Sequence, residues 1–163
     1  MKQDLNKNFD FGYERVTEEE KTDKVGAVFD SVSQKYDLMN DLMSLGLHRF
    51  WKRFAMMHTG LIEGMSALDV AGGTGDLASS LCQQVGKKGT VVLTDINFNM
   101  LINGRSKLLD QGKLNQINLI QSNAESLPFV NDSFDCITIG FGLRNITNKE
   151  KALASIMQVI KPG

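Results

Sequence analysis

The sequence is poor in several residue types whose abundance would mark a specialised class. Cysteine occurs twice in 163 residues, at Cys82 and Cys136, without a CxxC pair, and histidine also occurs twice. These counts exclude a disulfide scaffold and speak against a Cys/His zinc site. Eighteen Lys and Arg against nineteen Asp and Glu leave a net charge of −1, without the basic excess of a general nucleic-acid binder. No apolar run approaches the ~20 residues that span a bilayer. The N-terminus is polar and acidic, unlike a signal peptide. The expectation is a reduced, cytoplasmic protein. What is present, 42% apolar and 23% charged residues, fits one globular domain. A chain this long can bury about two thirds of the surface its unfolded form exposes.

Residues 1–21 read as polar and irregular, with Glu18-Glu19-Glu20 as solvated surface. A helix is expected to start near Thr22-Asp23, both good caps, because Val25, Val28, Phe29, Val32 and Tyr36 follow a helical stripe. A second helix is expected from about Leu47 to Thr59. Its apolar face, Leu47, Phe50, Trp51, Phe54 and Ala55, reads as core packing, and His48, Arg49, Lys52 and Arg53 as the solvated face. From Met65 the pattern changes. Strands are expected at Ala67–Val70, Thr90–Thr94, Ile117–Gln121 and Phe134–Ile139. Helices are expected at Asp76–Val85, Asn97–Gln111 and Lys149–Ile160, with Pro162-Gly163 beyond the last. The order is α/β, with a parallel sheet as the default and a ligand crevice at the carboxyl ends of the strands.

The sharpest local signal is Asp69-Val70-Ala71-Gly72-Gly73-Thr74-Gly75-Asp76 at a strand-to-helix turn. Glycines let the backbone come close to a ligand, and the helix start supplies free N–H donors. Asp95 ends the next strand, twenty residues after Gly75, where a carboxylate can accept both hydroxyls of a ribose. A glycine turn alone is structural in many α/β domains; together with Asp95 it points to a nucleoside-containing ligand. Glycines at 72, 73 and 75 depart from the GxGxxG of dinucleotide dehydrogenases, which disfavours NAD and suits S-adenosylmethionine, a ligand with no pyrophosphate. A nearby carboxylate such as Asp69 tolerates its cationic sulfonium. Asn123 and Ala124, just past the third strand, can read an adenine edge; their bland reading is an ordinary loop punctuated by Pro128. Cys82 and Cys136 read as buried and inert, and the two histidines as structural or exposed.

The chain resembles the ubiquinone/menaquinone biosynthesis C-methyltransferase family of class I S-adenosylmethionine-dependent enzymes. The matching stretches are Phe11-Gly12-Tyr13, Lys35 to Ser44, His48 to Arg53, Asp69 to Asp76, Asp95-Ile96-Asn97, Asn123 to Phe129, and Phe141-Gly142-Leu143-Arg144-Asn145. The resemblance implies that Asp69, Gly73, Thr74 and Gly75 form the donor turn, Asp95 holds the ribose, and Asn123 and Ala124 flank the adenine. The family often has Ser where this chain has Gly140, leaving only backbone contact there. Arg144, Asn145 and Tyr36 match the family's proposed catalytic cluster. The implied reaction is methylation of a ring carbon of a prenylated quinol, with Arg144 stabilising the quinolate and Asn145 and Tyr36 positioning a water that accepts the proton.

By the same resemblance the chain divides into an N-terminal helical cap, 1–60, and an S-adenosylmethionine-binding domain, 61–163. The latter has strands in the order 3-2-1-4 and lacks the fifth strand and closing hairpin. The expectation is a fragment whose fourth strand is an exposed edge that invites pairing with another chain, with little or no turnover. Two function classes follow: the quinol C-methyltransferase itself, or a non-catalytic remnant that binds cofactor weakly or joins other quinone-synthesis proteins, including a second copy. The basic face of the 47–59 helix suggests peripheral membrane contact.

Overall fold

In the computed structural model the described residues are 9–11, 14–17, 20, 21, 24 and 47–163. Most of the helix expected after Thr22, with Tyr36, and the 35–44 stretch lie outside them. Where residues 1–21 were expected to be irregular, β1 (Phe9–Phe11) and β2 (Glu14–Val16) pair antiparallel. Helical structure also begins earlier than expected. Thr17 N donates to Glu20 Oε2 at 2.9 Å and Glu20 N to Thr17 Oγ1 at 3.3 Å. This reciprocal capping box outranks the caps at 22–23, and Glu20, Lys21 and Lys24 are helical.

The larger unit is a parallel sheet of β3 (Ser66–Val70), β4 (Thr90–Asp95), β5 (Ile117–Gln121) and β6 (Cys136–Thr138), in the order β5-β4-β3-β6. This is the expected 3-2-1-4. Crossovers run through α2 (Asp76–Val85) and α3 (Phe98–Asp110), and α4 (Lys149–Val159) follows β6. Asn97 caps α3 by accepting from Met100 N at 2.9 Å, and Asn148 caps α4 through Lys151 N.

The two faces of the sheet alternate by residue, as a pleated strand requires. Ala67, Val91, Leu93 and Ile117 join Leu81, Val85, Leu101 and Leu108 in one cluster. Leu68, Val70 and Val92 join Leu127, Phe134, Ala152 and Val159 in the other. The expected strand at 134–139 is only three residues long, and Phe134 is bridged singly to Ile160. Cys82 is buried as expected, but Cys136 is only partly so.

The helix expected after Leu47 is α1 (Leu47–Met57), but its apolar stripe does not form core. Leu47, Phe50, Trp51 and Phe54 are 60%, 62%, 57% and 47% exposed, and Ala55 is exposed as well. The helix docks on α2 along a different line. Lys52 Nζ meets Asp76 Oδ2 at 2.7 Å, Gln84 Nε2 donates to the Met56 carbonyl at 2.6 Å, and Met56 is buried. The stripe rings instead pack edge-on against one another along the helix, Phe50–Trp51 and Trp51–Phe54 at centroid distances of 5.8 and 6.2 Å.

Candidate functional site

The turn between β3 and α2 is built by close approach. A Cβ at Gly72 would overlap the Asp69 carboxylate and the end of Leu93, so only glycine fits. Gly75 takes φ 83° and precedes α2 without a side chain to cap it. Asp69 supplies the missing acceptor from the strand: its Oδ2 accepts from Ala78 N in the first turn of α2 at 3.1 Å. Its Oδ1 accepts from Thr138 Oγ1 at 2.8 Å, tying β6 to the same brace. On the outer side Asp76 pairs with Lys52 from α1 and Lys107 from α3.

An open crevice lies above the carboxyl ends of the strands, enclosing about 880 Å³ including its mouth. Asp95 is on its wall. Its Oδ2 accepts from Gly73 N and its Oδ1 from Asn97 N, both at 2.9 Å. A carboxylate has about four acceptor sites, so these two backbone donors, with the Ile96 amide also directed at it, fix its orientation and leave capacity for a ligand. Burial raises its pKa, against the lowering effect of those backbone bonds. Of the residues singled out by sequence, Gly73, Asp95, Asn123, Ala124, Gly140 and Asn145 line the crevice. Asn123 Oδ1 is already committed to Glu125 N at 2.9 Å.

Four do not line it. Asp69 is fully buried behind the turn and does not line the crevice; it braces the glycine turn from the strand. The pleat decides this: position 69 shares its strand face with Ala67, toward α2. Gly75 and Thr74 are likewise buried in the turn, with Lys107 Nζ 3.5 Å from Thr74 Oγ1. Arg144, in the short 3-10 turn Leu143–Asn145, is exposed and off the wall. Tyr36 lies outside the described residues. Sequence reading missed Ser122, Glu125 and Met100, which also line the crevice. Glu125 is buried and accepts from Asn148 N at 2.9 Å, so it holds the loop before α4. Among the described residues no group of three His, Cys, Asp or Glu is placed to hold a metal, and no helix is long and apolar enough to cross a membrane.

Burial pushes the Asp69 carboxyl up to about 7, while its pairing with Lys107 and Lys52 overcomes burial at Asp76 and holds that carboxyl down at about 2. The two act in separate pH windows. Asp69 contributes stability that is full below about pH 4 and lost as pH rises through 7. Asp76 contributes stability present above about pH 4 and lost as pH falls through 2. Thermal melts across this range are expected to show stability declining from pH 4 to pH 7. Asp69→Asn should flatten that decline, because an amide can accept from Ala78 N and donate to Thr138 Oγ1 without ionising. An unchanged slope would contradict the assignment.

Residues 16–163 match the ubiE/COQ5 methyltransferase family. The chain belongs to this family. It is 57% identical over 158 residues to the ubiquinone/menaquinone biosynthesis C-methyltransferase UbiE of Francisella philomiragia, covering 97% of this chain and 63% of that protein. It is 55% identical over 154 residues to UbiE of Serratia proteamaculans, covering 94% and 61%. The chain thus spans less than two thirds of the length of these ubiE/COQ5 relatives. The fold also matches a crystal structure of an S-adenosylmethionine-dependent methyltransferase from Aquifex aeolicus. Its TM-score is 0.63 at 28% identity, over 68% of this chain and 58% of that one. The class I methyltransferase fold expected for the chain is the one observed, as four parallel strands with helices on both faces.

Proposed function

We propose that this chain carries the donor-binding part of an S-adenosylmethionine-dependent C-methyltransferase acting on a prenylated quinol in ubiquinone or menaquinone biosynthesis. One observation carries the reading: the Asp95 carboxylate, fixed by Gly73 N and Asn97 N, faces a crevice shared with Asn123 and Ala124. That arrangement fits a ribose with an adenine beside it. Gly73 and Gly140 would flank the rest of the donor through backbone, while Asp69, Thr74 and Gly75 hold the turn. When bound, S-adenosylmethionine supplies an electrophilic methyl group on a cationic sulfonium. The crevice walls then serve to align it and to exclude water.

A ring carbon becomes nucleophilic only when a ring hydroxyl loses its proton. Asn145, on the crevice wall, would position with Tyr36 the water that takes this proton. Arg144 cannot act as a base, since it stays protonated; its cation would hold the quinolate oxygen, which requires the 143–145 turn to swing its exposed side chain inward. In this reading residues 1–60 form the substrate-side cap. The exposed aromatic stripe of α1, beside the basic Arg53, supports docking at a membrane surface where a prenyl tail resides.

Extracts containing a full-length ubiE/COQ5 enzyme that carries this chain's residues, given S-adenosylmethionine with a radiolabelled methyl group and a demethylated prenyl quinol, are expected to yield a labelled quinol one methyl group heavier by mass. Arg144→Ala should lower turnover at least tenfold with donor binding unchanged. Donor binding without any labelled quinol would favour the non-catalytic binding reading, and normal turnover in Arg144→Ala would dismiss that residue's role.

A further inference from the structure

Among the described residues, one buried side-chain polar atom lacks a hydrogen-bond partner, and it lies at the crevice. This atom is Ser122 Oγ. Ser122 directly follows β5, and its backbone N donates to the Asp95 carbonyl at 3.1 Å, so its position is tied to the tip of β4. The polar side chains on either side are already engaged. Gln121 Nε2 donates to the Ile96 carbonyl at 2.9 Å, and Asn123 Oδ1 accepts from Glu125 N. A buried hydroxyl left unpaired is unfavourable to the protein, and folded chains rarely retain one without a use.

We propose that Ser122 Oγ is a base-recognition group, donating a hydrogen bond to a ring nitrogen of the purine in the bound nucleoside. The inference rests on the donor-binding reading above and deepens it. With the ribose held at Asp95, the base lies toward the residues next to that carboxylate on the crevice wall. Ile96, which follows Asp95, and Ser122, whose N–H is bonded to the Asp95 carbonyl, are two of these. Ile96 is 48% exposed and offers an apolar surface to the flat ring. Ser122 offers the hydroxyl at its edge, able to donate while still accepting.

The test is calorimetric, with S-adenosylhomocysteine and its 1-deaza, 3-deaza and 7-deaza adenine analogues as probes, titrated into the protein and Ser122→Ala. The variant is expected to bind S-adenosylhomocysteine about fivefold to tenfold more weakly, the factor of one neutral hydrogen bond. The melting temperature of the free variant should be unchanged or higher. One deaza analogue should bind the protein and the variant equally, because it lacks the nitrogen that the hydroxyl meets. Equal affinity of both proteins for S-adenosylhomocysteine overturns the inference alone. So does an equal loss across all four ligands, or a variant that melts lower or fails to fold, since the hydroxyl would then be serving the fold. If neither protein binds S-adenosylhomocysteine, the donor-binding reading falls and this inference with it.

Discussion

Asp95→Ala is expected to weaken S-adenosylhomocysteine binding by at least about 100-fold, roughly 2.7 kcal/mol or more. The carboxylate stands at the crevice with acceptor capacity left after the Gly73 and Asn97 amides are satisfied. Two ribose hydroxyls donating to it would each contribute about 1.5–3 kcal/mol as hydrogen bonds to a charged acceptor. Part of the loss comes from the protein itself, because the Gly73 amide loses its acceptor and the turn loosens. A double-mutant cycle separates the parts. The 2′-deoxyribose form of the ligand should bind the wild-type protein at least tenfold more weakly than the ribose form, and the variant should not distinguish the two. Discrimination that persists in the variant would place the ribose elsewhere.

Leu93→Ala is the substitution expected to cost the fold most. Leu93 is fully buried in the cluster beneath α2 and α3. Truncating a buried leucine costs about 2–5 kcal/mol, from lost transfer energy and the cavity left behind. For a domain of this size that corresponds to a fall in Tm of roughly 5–20 °C, a large share of the ~5–15 kcal/mol that holds a typical domain together. The site should suffer with it. Leu93 is the side chain that a Cβ at Gly72 or Gly75 would meet first or nearly so, so it is the floor on which the glycine turn rests. Denaturant melts check the first effect, and ligand titration well below the new Tm checks the second. A variant that melts within about 2 °C of the parent, an effect under 1 kcal/mol for a domain of this size, would contradict this packing account.

Much of the fold was legible because its signals are local. Asp76–Val85 and Ile117–Gln121 have the bounds that periodicity and turn residues assigned them. Asn97 caps the helix it was expected to open. Asp95 stands at a strand tip because its place is fixed by strand length.

Other features depend on partners that no short pattern names. The α1 stripe is genuinely amphipathic, but a stripe does not say what it faces, and Lys52 and Met56 decide the docking line through Asp76 and Gln84. Asp69 sits beside the glycines in sequence yet faces away from the crevice. The pleat carries that information, since it pairs Asp69 with Ala67 against Leu68 and Val70. Three-residue strands such as β1 and β2 are too short for alternation to register. The Thr17-x-x-Glu20 capping box was readable, but the caps at Thr22 and Asp23 masked it. The burial of the Ser122 hydroxyl depends on packing at the strand tips, where its N–H meets the Asp95 carbonyl, which no spacing rule anticipates.

The most direct measurement is amide chemical-shift mapping of the protein titrated with S-adenosylhomocysteine. The account predicts saturable shifts concentrated at Gly73, Ile96 and the Ser122 to Ala124 segment, with the far end of the sheet around Ser66 and Asp135 unmoved. Shifts centred away from the β4 tip, or no saturable shift at all, would contradict it.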